Sequence, residues 1–209
     1  RAVPGMEWAD PATRCLRRTL AMPGPDGAAR TGWVEAQFDP ARHQITLRVG
    51  DGLRDALPQV IHRARAWLDV DADPLAIEAA LGAAFPAGEG LRVPGCLDGF
   101  ELAVRAILGQ QITVAAARTL AARLVARFGD AVAAPWPELA RSFPRAAVLA
   151  RAEGDALGQF GIVRQRQGAI TALARAVAGG ELSLHIGAPV ASTMAALRAL
   201  PGVGDWTAQ

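Results

Sequence analysis

The chain has 209 residues, 51% hydrophobic and 20% charged, which excludes a disordered or low-complexity protein and leaves length for one large domain or two modest ones. All 22 basic residues are arginine and the formal net charge is +2. No lysine Schiff base can form within it, and the mildly basic balance is compatible with a nucleic-acid partner without requiring one.

Cys15 and Cys96 fit no metal-ligand spacing and read as two buried, reduced thiols. No apolar run of about 18 residues and no signal-peptide pattern occurs, so the expectation is a soluble cytoplasmic segment with no membrane partner. The missing initiator methionine reads as a cut from something longer.

The first third alternates with a period near two at CLRRTLA (15–21), TGWVEAQFD (31–39) and HQITLRVG (43–50), separated by turn-rich MPGPDG and DPAR. That pattern predicts an antiparallel meander. Leu57, Val60, Ile61, Ala64, Trp67 and Leu68 then recur at three- and four-residue steps, predicting a helix over 53–68, with a shorter one at 74–85. The loop-like stretch FPAGEGLRVPG (85–95) is the natural boundary, giving an α+β unit at 1–89 and a helical unit at 90–209.

Beyond it, Asp98 and Glu101 resemble a capping box, and Leu97, Phe100, Val104, Ile107 and Leu108 form one apolar stripe ending at Gly109. Further helices are predicted at 113–128, 136–141, 144–150, 164–178 and 189–200. The stretch LPGVGDWTAQ (200–209) follows the last of them: a proline, two glycines spaced G-x-G, then the opening of another helix. Such a turn lets helices approach closely and points successive N–H groups outward at a helix N-terminus, where a phosphate of a duplex backbone can dock. A bare G-x-G is equally the turn of an ordinary αα-hairpin.

The longer string L-P-G-V-G-x-x-T-A resembles the helix-hairpin-helix element of the base-excision DNA glycosylases. FELAVRAILGQQITVAAARTLAARLVARFG (100–129), FGIVRQRQGAI (160–170), RAVPGMEW (1–8) and LRVPGCLDGFE (91–101) resemble the bacterial DNA-3-methyladenine glycosylase II (AlkA) family. The likeness covers nearly the whole chain, least distinctively at 22–90. It implies an α+β fold: a small antiparallel-sheet domain with helices, then an all-α helix-hairpin-helix glycosylase domain, incomplete here.

The resemblance also assigns roles. In strand-cleaving relatives a lysine nucleophile stands two positions after the second hairpin glycine; here Trp206 stands there, implying a monofunctional enzyme whose indole stacks on a flipped base. Gln111 matches the wedge residue that fills the gap in the duplex, and Gln110 matches a residue near the base pocket. Gly202, Val203 and Gly204 form the implied phosphate-binding hairpin. The carbonyls of Arg198, Leu200 and Gly202 are the implied ligands of a structural monovalent cation, Na or K, and no cofactor is implied for catalysis. Arg105, Arg164 and Arg166 read either as phosphate contacts or as solvated helix arginines. Asp205 reads as a carboxylate near a helix N-terminus, and the catalytic Asp is expected about twenty residues after Trp206, outside this chain. The implied partner is double-stranded DNA containing alkylated bases, bound by a monomer. A non-catalytic helix-hairpin-helix DNA-binding module and a glycosylase for oxidised or mismatched bases are the other readings.

Overall fold

The computed structural model describes the chain apart from residues 1, 25, 27, 83, 89, 153, 154 and 209. Four strands, β1 (Glu7–Asp10), β2 (Cys15–Pro23), β3 (Ala29–Asp39) and β4 (Gln44–Val49), form one antiparallel sheet in chain order. The expected meander is present, with β1 added at its edge. Register pairs Arg18 with Val34, Thr19 with Trp33 and Leu20 with Gly32, so Leu20, Met22 and Val34 share one face.

That face packs on a 3-10 turn at 51–56 and on α1 (Leu57–Trp67), burying Leu53, Ala56 and Val60. The helix expected over 53–68 therefore starts as 3-10, with Pro58 in the first α-turn, where its missing N–H costs nothing. α2 (Pro74–Leu81) is capped by Asp73, whose side chain accepts from the N–H groups of Leu75 and Ala76.

The opposite sheet face is polar and covered by the other half of the chain. The Arg17 guanidinium lies between two indoles, 4.4 Å from the Trp8 ring and 4.2 Å from that of Trp136, and Trp33 meets Trp136 edge-on at 4.8 Å. This overturns the helix expected at 136–141. Pro135 and Pro137 flank Trp136, and the backbone nearby pairs outward instead: Leu139 bridges Gly5, Arg141 bridges Ala131, and the N–H groups of Ala140 and Arg141 donate to the Gly5 carbonyl.

The helical half comprises α3 (Gly99–Gly109), α4 (Val114–Phe128), α5 (Ala146–Ala150), α6 (Arg164–Ala178), α7 (Val190–Arg198) and α8 (Asp205–Ala208). Asp98 caps α3 by accepting from the Glu101 N–H at 2.9 Å, and Thr113 caps α4 by accepting from the Ala116 N–H at 3.2 Å. The α3 stripe of Phe100, Val104, Ile107 and Leu108 is buried against Leu120, Leu124 and Val125 of α4 and Ile170 and Leu173 of α6. Leu97 departs from that stripe and joins the core beneath the sheet. Val3 and Met6, ahead of the sheet, pack in the core of the helical half.

A buried ion network ties the halves together. Arg18 on β2 reaches Glu101 of α3 at 2.5 Å and Glu7 of β1 at 3.3 Å, while Arg105 of α3 reaches both carboxylates at 2.9 Å. Two cations and two anions alternate, so each charge removed from water faces an opposite one. Arg105 is thereby a structural cation. Burial pulls on its proton, but Glu7 and Glu101 outweigh that and push its pKa upward, so of its two readings the solvated helix arginine is set aside. Glu101 completes no reciprocal capping box, because its carboxylate is committed to these arginines.

On the sheet's polar face Glu35 accepts from Arg17 at 2.7 Å and Arg48 at 2.8 Å. Burial alone would raise its carboxyl; the two guanidinium hydrogen bonds prevail and hold it below the ordinary range. Cys15 is buried as expected and donates weakly to Glu35 at 3.6 Å, whereas Cys96 is only half-buried. Desolvation, then the nearby Glu35 charge, pushes the Cys15 thiol up.

Candidate nucleic-acid interface

The hairpin joins α7 to α8 through Ala199 to Gly204. Gly202 adopts φ +76°, and a Cβ built on it would stand 3.3 Å from the Ala169 side chain of α6, so the turn needs glycine for both conformation and room. Gly204 differs. Its φ is not positive, and a Cβ there would meet nothing within 4 Å. Nothing within the described fold requires a glycine at this position.

Val203 plugs the turn. Its side chain is buried, and its N–H donates to the Leu200 carbonyl at 3.2 Å. In the free chain Val203 anchors the turn. Among the described residues the N–H groups of Gly204, Asp205 and Trp206 have no such partner, as befits the exposed start of a helix. The Thr207 and Ala208 N–H groups close the first turn on the Gly204 carbonyl at 3.0 Å.

Asp205 opens α8 and pairs with Arg198 at the end of α7 at 2.7 Å. Each charge sits at the helix end its dipole favours, and together they staple the two arms of the hairpin. Trp206 follows with its side chain pointing into solvent, 91% exposed. A packing role for this indole within the described chain is excluded.

The turn between α3 and α4 lies against the same hairpin. The Gln110 side-chain amide donates to the Gly202 carbonyl and to Thr207 Oγ1, each at 3.0 Å. Its backbone carbonyl accepts from the Arg166 guanidinium of α6. Gln111, the next residue, is exposed and left-handed at φ +55°, a conformation that β-carbon-bearing residues adopt at a cost. The sequence thus placed Gln110, Gln111, Gly202, Gly204 and Trp206 apart, and the fold gathers them at one end of the helical half.

The carbonyl set for a cation can be tested against this geometry. The Leu200 carbonyl accepts from Val203, and that of Gly202 accepts from Gln110. Each oxygen keeps a second lone pair, so an all-oxygen set with Arg198 remains compatible with a hard monovalent ion. Sequence reasoning missed the Gln110–Thr207 bond and Arg166's grip on the turn. The one signal available was the pair of arginines in the first turn of α6, where a helix disfavours positive charge.

Comparison with known proteins accounts for almost every residue. The AlkA N-terminal domain family matches residues 1–98, and the family described as HhH-GPD superfamily base excision DNA repair protein matches residues 104–205. The chain joins an AlkA N-terminal domain to an HhH-GPD domain.

The chain is 37% identical over 177 residues to DNA-3-methyladenine glycosylase 2 of Escherichia coli, covering 85% of this chain and 62% of that protein. It is also 37% identical over 215 residues to a probable bifunctional transcriptional activator/DNA repair enzyme AlkA of Mycobacterium tuberculosis, covering all of this chain and 41% of that one. The chain thus spans less than two thirds of either relative. A solved 3-methyladenine DNA-glycosylase from Archaeoglobus fulgidus superposes with a TM-score of 0.71 at 22% identity, over 99% of this chain and 69% of that one, and shows the shared fold.

Proposed function

We propose that the protein is a monofunctional DNA glycosylase that hydrolyses the N-glycosidic bond of alkylated bases of the 3-methyladenine type. It acts as a cytoplasmic monomer on double-stranded DNA. Support comes from the superfamily, from the name of the E. coli relative, and above all from one observation. The exposed Trp206 indole stands two residues after a glycine the fold does not need, beside backbone N–H groups free to take a phosphate.

In this reading the hairpin fixes the DNA backbone, Gln111 enters the vacated stack, and Trp206 offers its π-face to the extruded base. Ring alkylation leaves the purine cationic, which favours stacking on an indole and makes it a good leaving group. The charge developing on the sugar calls for a carboxylate. The resemblance puts that carboxylate on an Asp about twenty residues after Trp206, and the proposal assigns the task there and not to Asp205. A sodium or potassium ion on the carbonyls of Arg198, Leu200 and Gly202 would add positive charge to the hairpin without joining the chemistry.

The test is release of free 3-methyladenine from methylated duplex by the full-length protein, with the strand left unnicked. A covalent DNA adduct trapped by borohydride would overturn the monofunctional reading. Residues 1–209 alone are expected to bind DNA without turnover; turnover would overturn the placement of the carboxylate.

A further inference from the structure

Three elements converge on Gln110. It terminates α3, its side-chain amide spans to Gly202 and Thr207 of the hairpin, and its main-chain carbonyl faces Arg166 of α6. Thr207 is the neighbour of Trp206, and Gln110 is the neighbour of Gln111. One hydrogen bond therefore sets the spacing between the two exposed groups on which the proposed base extrusion depends.

Arg166 sits poorly on its own helix. The first turn of α6 carries Arg164 and Arg166, no acidic residue, and no side-chain cap, since Val163 occupies the cap position. Cations there oppose the helix dipole. Half-buried Arg166 instead meets the carbonyl end of α3, where a cation is favoured and an otherwise unpaired helix-terminal acceptor is satisfied. A residue that offends its own element while completing another marks a functional constraint. The left-handed backbone at Gln111, immediately after the gripped carbonyl, is a second local cost at the same place.

We infer that Arg166 is a positioning residue: by holding the Gln110 carbonyl it keeps the turn at Gln111 left-handed and in fixed register with Trp206. It touches neither base nor phosphate. The inference rests on the glycosylase reading above for its consequence in catalysis, but the clamp itself is a property of the free protein.

Arg166→Ala and Arg166→Lys are compared in the full-length protein, after thermal unfolding has verified that both fold. In free protein, amide exchange over residues 109–113 is expected to rise roughly tenfold in Arg166→Ala, as fits loss of one charge-assisted hydrogen bond, with the sheet unchanged. Excision at saturating enzyme falls by about the same factor, while affinity for undamaged duplex and its salt dependence stay put. Arg166→Lys recovers at least half of the loss, because an ammonium also donates to a carbonyl.

Unchanged exchange at 109–113 overturns the inference. So does a salt slope reduced by about one with the saturating rate intact, which identifies a phosphate contact. If the wild-type protein excises nothing, the glycosylase reading fails by itself, and the exchange measurement still decides whether the clamp exists.

Discussion

The polar face of the sheet and the hairpin end of the helical half use charged and polar groups in opposite ways. Around the sheet they are consumed: Arg17, Arg18, Glu35, Glu101 and Arg105 all meet partners inside the protein, and Trp8 and Trp136 close over Arg17. At the hairpin they are left open: Trp206 and Gln111 face solvent, and the N–H groups of Gly204, Asp205 and Trp206 have no backbone acceptor among the described residues. Satisfied polar groups hold structure together, and unsatisfied ones at the surface are available for binding.

Substitutions in the two regions should therefore separate stability from function. The largest expected loss is at Glu101→Ala, which leaves the buried cations Arg18 and Arg105 with Glu7 as their one shared anion. Removing one member of a buried pair costs about 3–5 kcal/mol, read as a lower urea midpoint. Trp206→Ala should leave that midpoint in place and instead lower base excision. One base–aromatic stack is worth about 1–3 kcal/mol, so a ten- to hundredfold drop is expected, with duplex affinity nearly unchanged. Equal losses of both would merge the two regions' roles.

Finer contrasts lie within the hairpin and within the sheet. Gly202→Ala forces a side chain into positive φ and against Ala169, costing about 1–2 kcal/mol. Gly204→Ala should cost no stability, since its Cβ meets nothing within 4 Å, yet weaken duplex binding in a gel-shift titration if the proposed phosphate docks there. The smallest effect concerns pH. Glu35 has its pKa depressed in the folded state, so its contribution is present above its ordinary value of 4.5 and fades as pH falls through the folded value. Glu35→Gln should flatten that acid limb of the stability profile, measured by thermal unfolding between neutral and acidic pH.

Local signals carried much of the architecture. Period-two runs gave β2, β3 and β4, and the bounds of α4 and α6 were readable from Thr113, Gly129 and Gly179 as start and stop residues. β1 was not, since EWAD is four residues long and becomes a strand only against Cys15 to Arg18. The segment 136–141 misled because an apparently helical composition yields when Trp136 is captured by Arg17 and Trp33 across the sheet. For the site, the hairpin string announced Gly202 and Trp206. The division of labour between Gly202 and Gly204, the internal use of the Val203 N–H, and the bond from Gln110 to a residue 97 positions away all depend on folding.

Val3 and Met6 lodge among Phe100, Val104 and Leu108 rather than beneath the sheet that follows them. The first few residues thus serve as a keystone of the helical half, about a hundred positions along the chain. Anyone grafting the sheet of one family member onto the helices of another must therefore keep this leading segment with the recipient helices, because a junction drawn at 90 separates the helical core from its own plug.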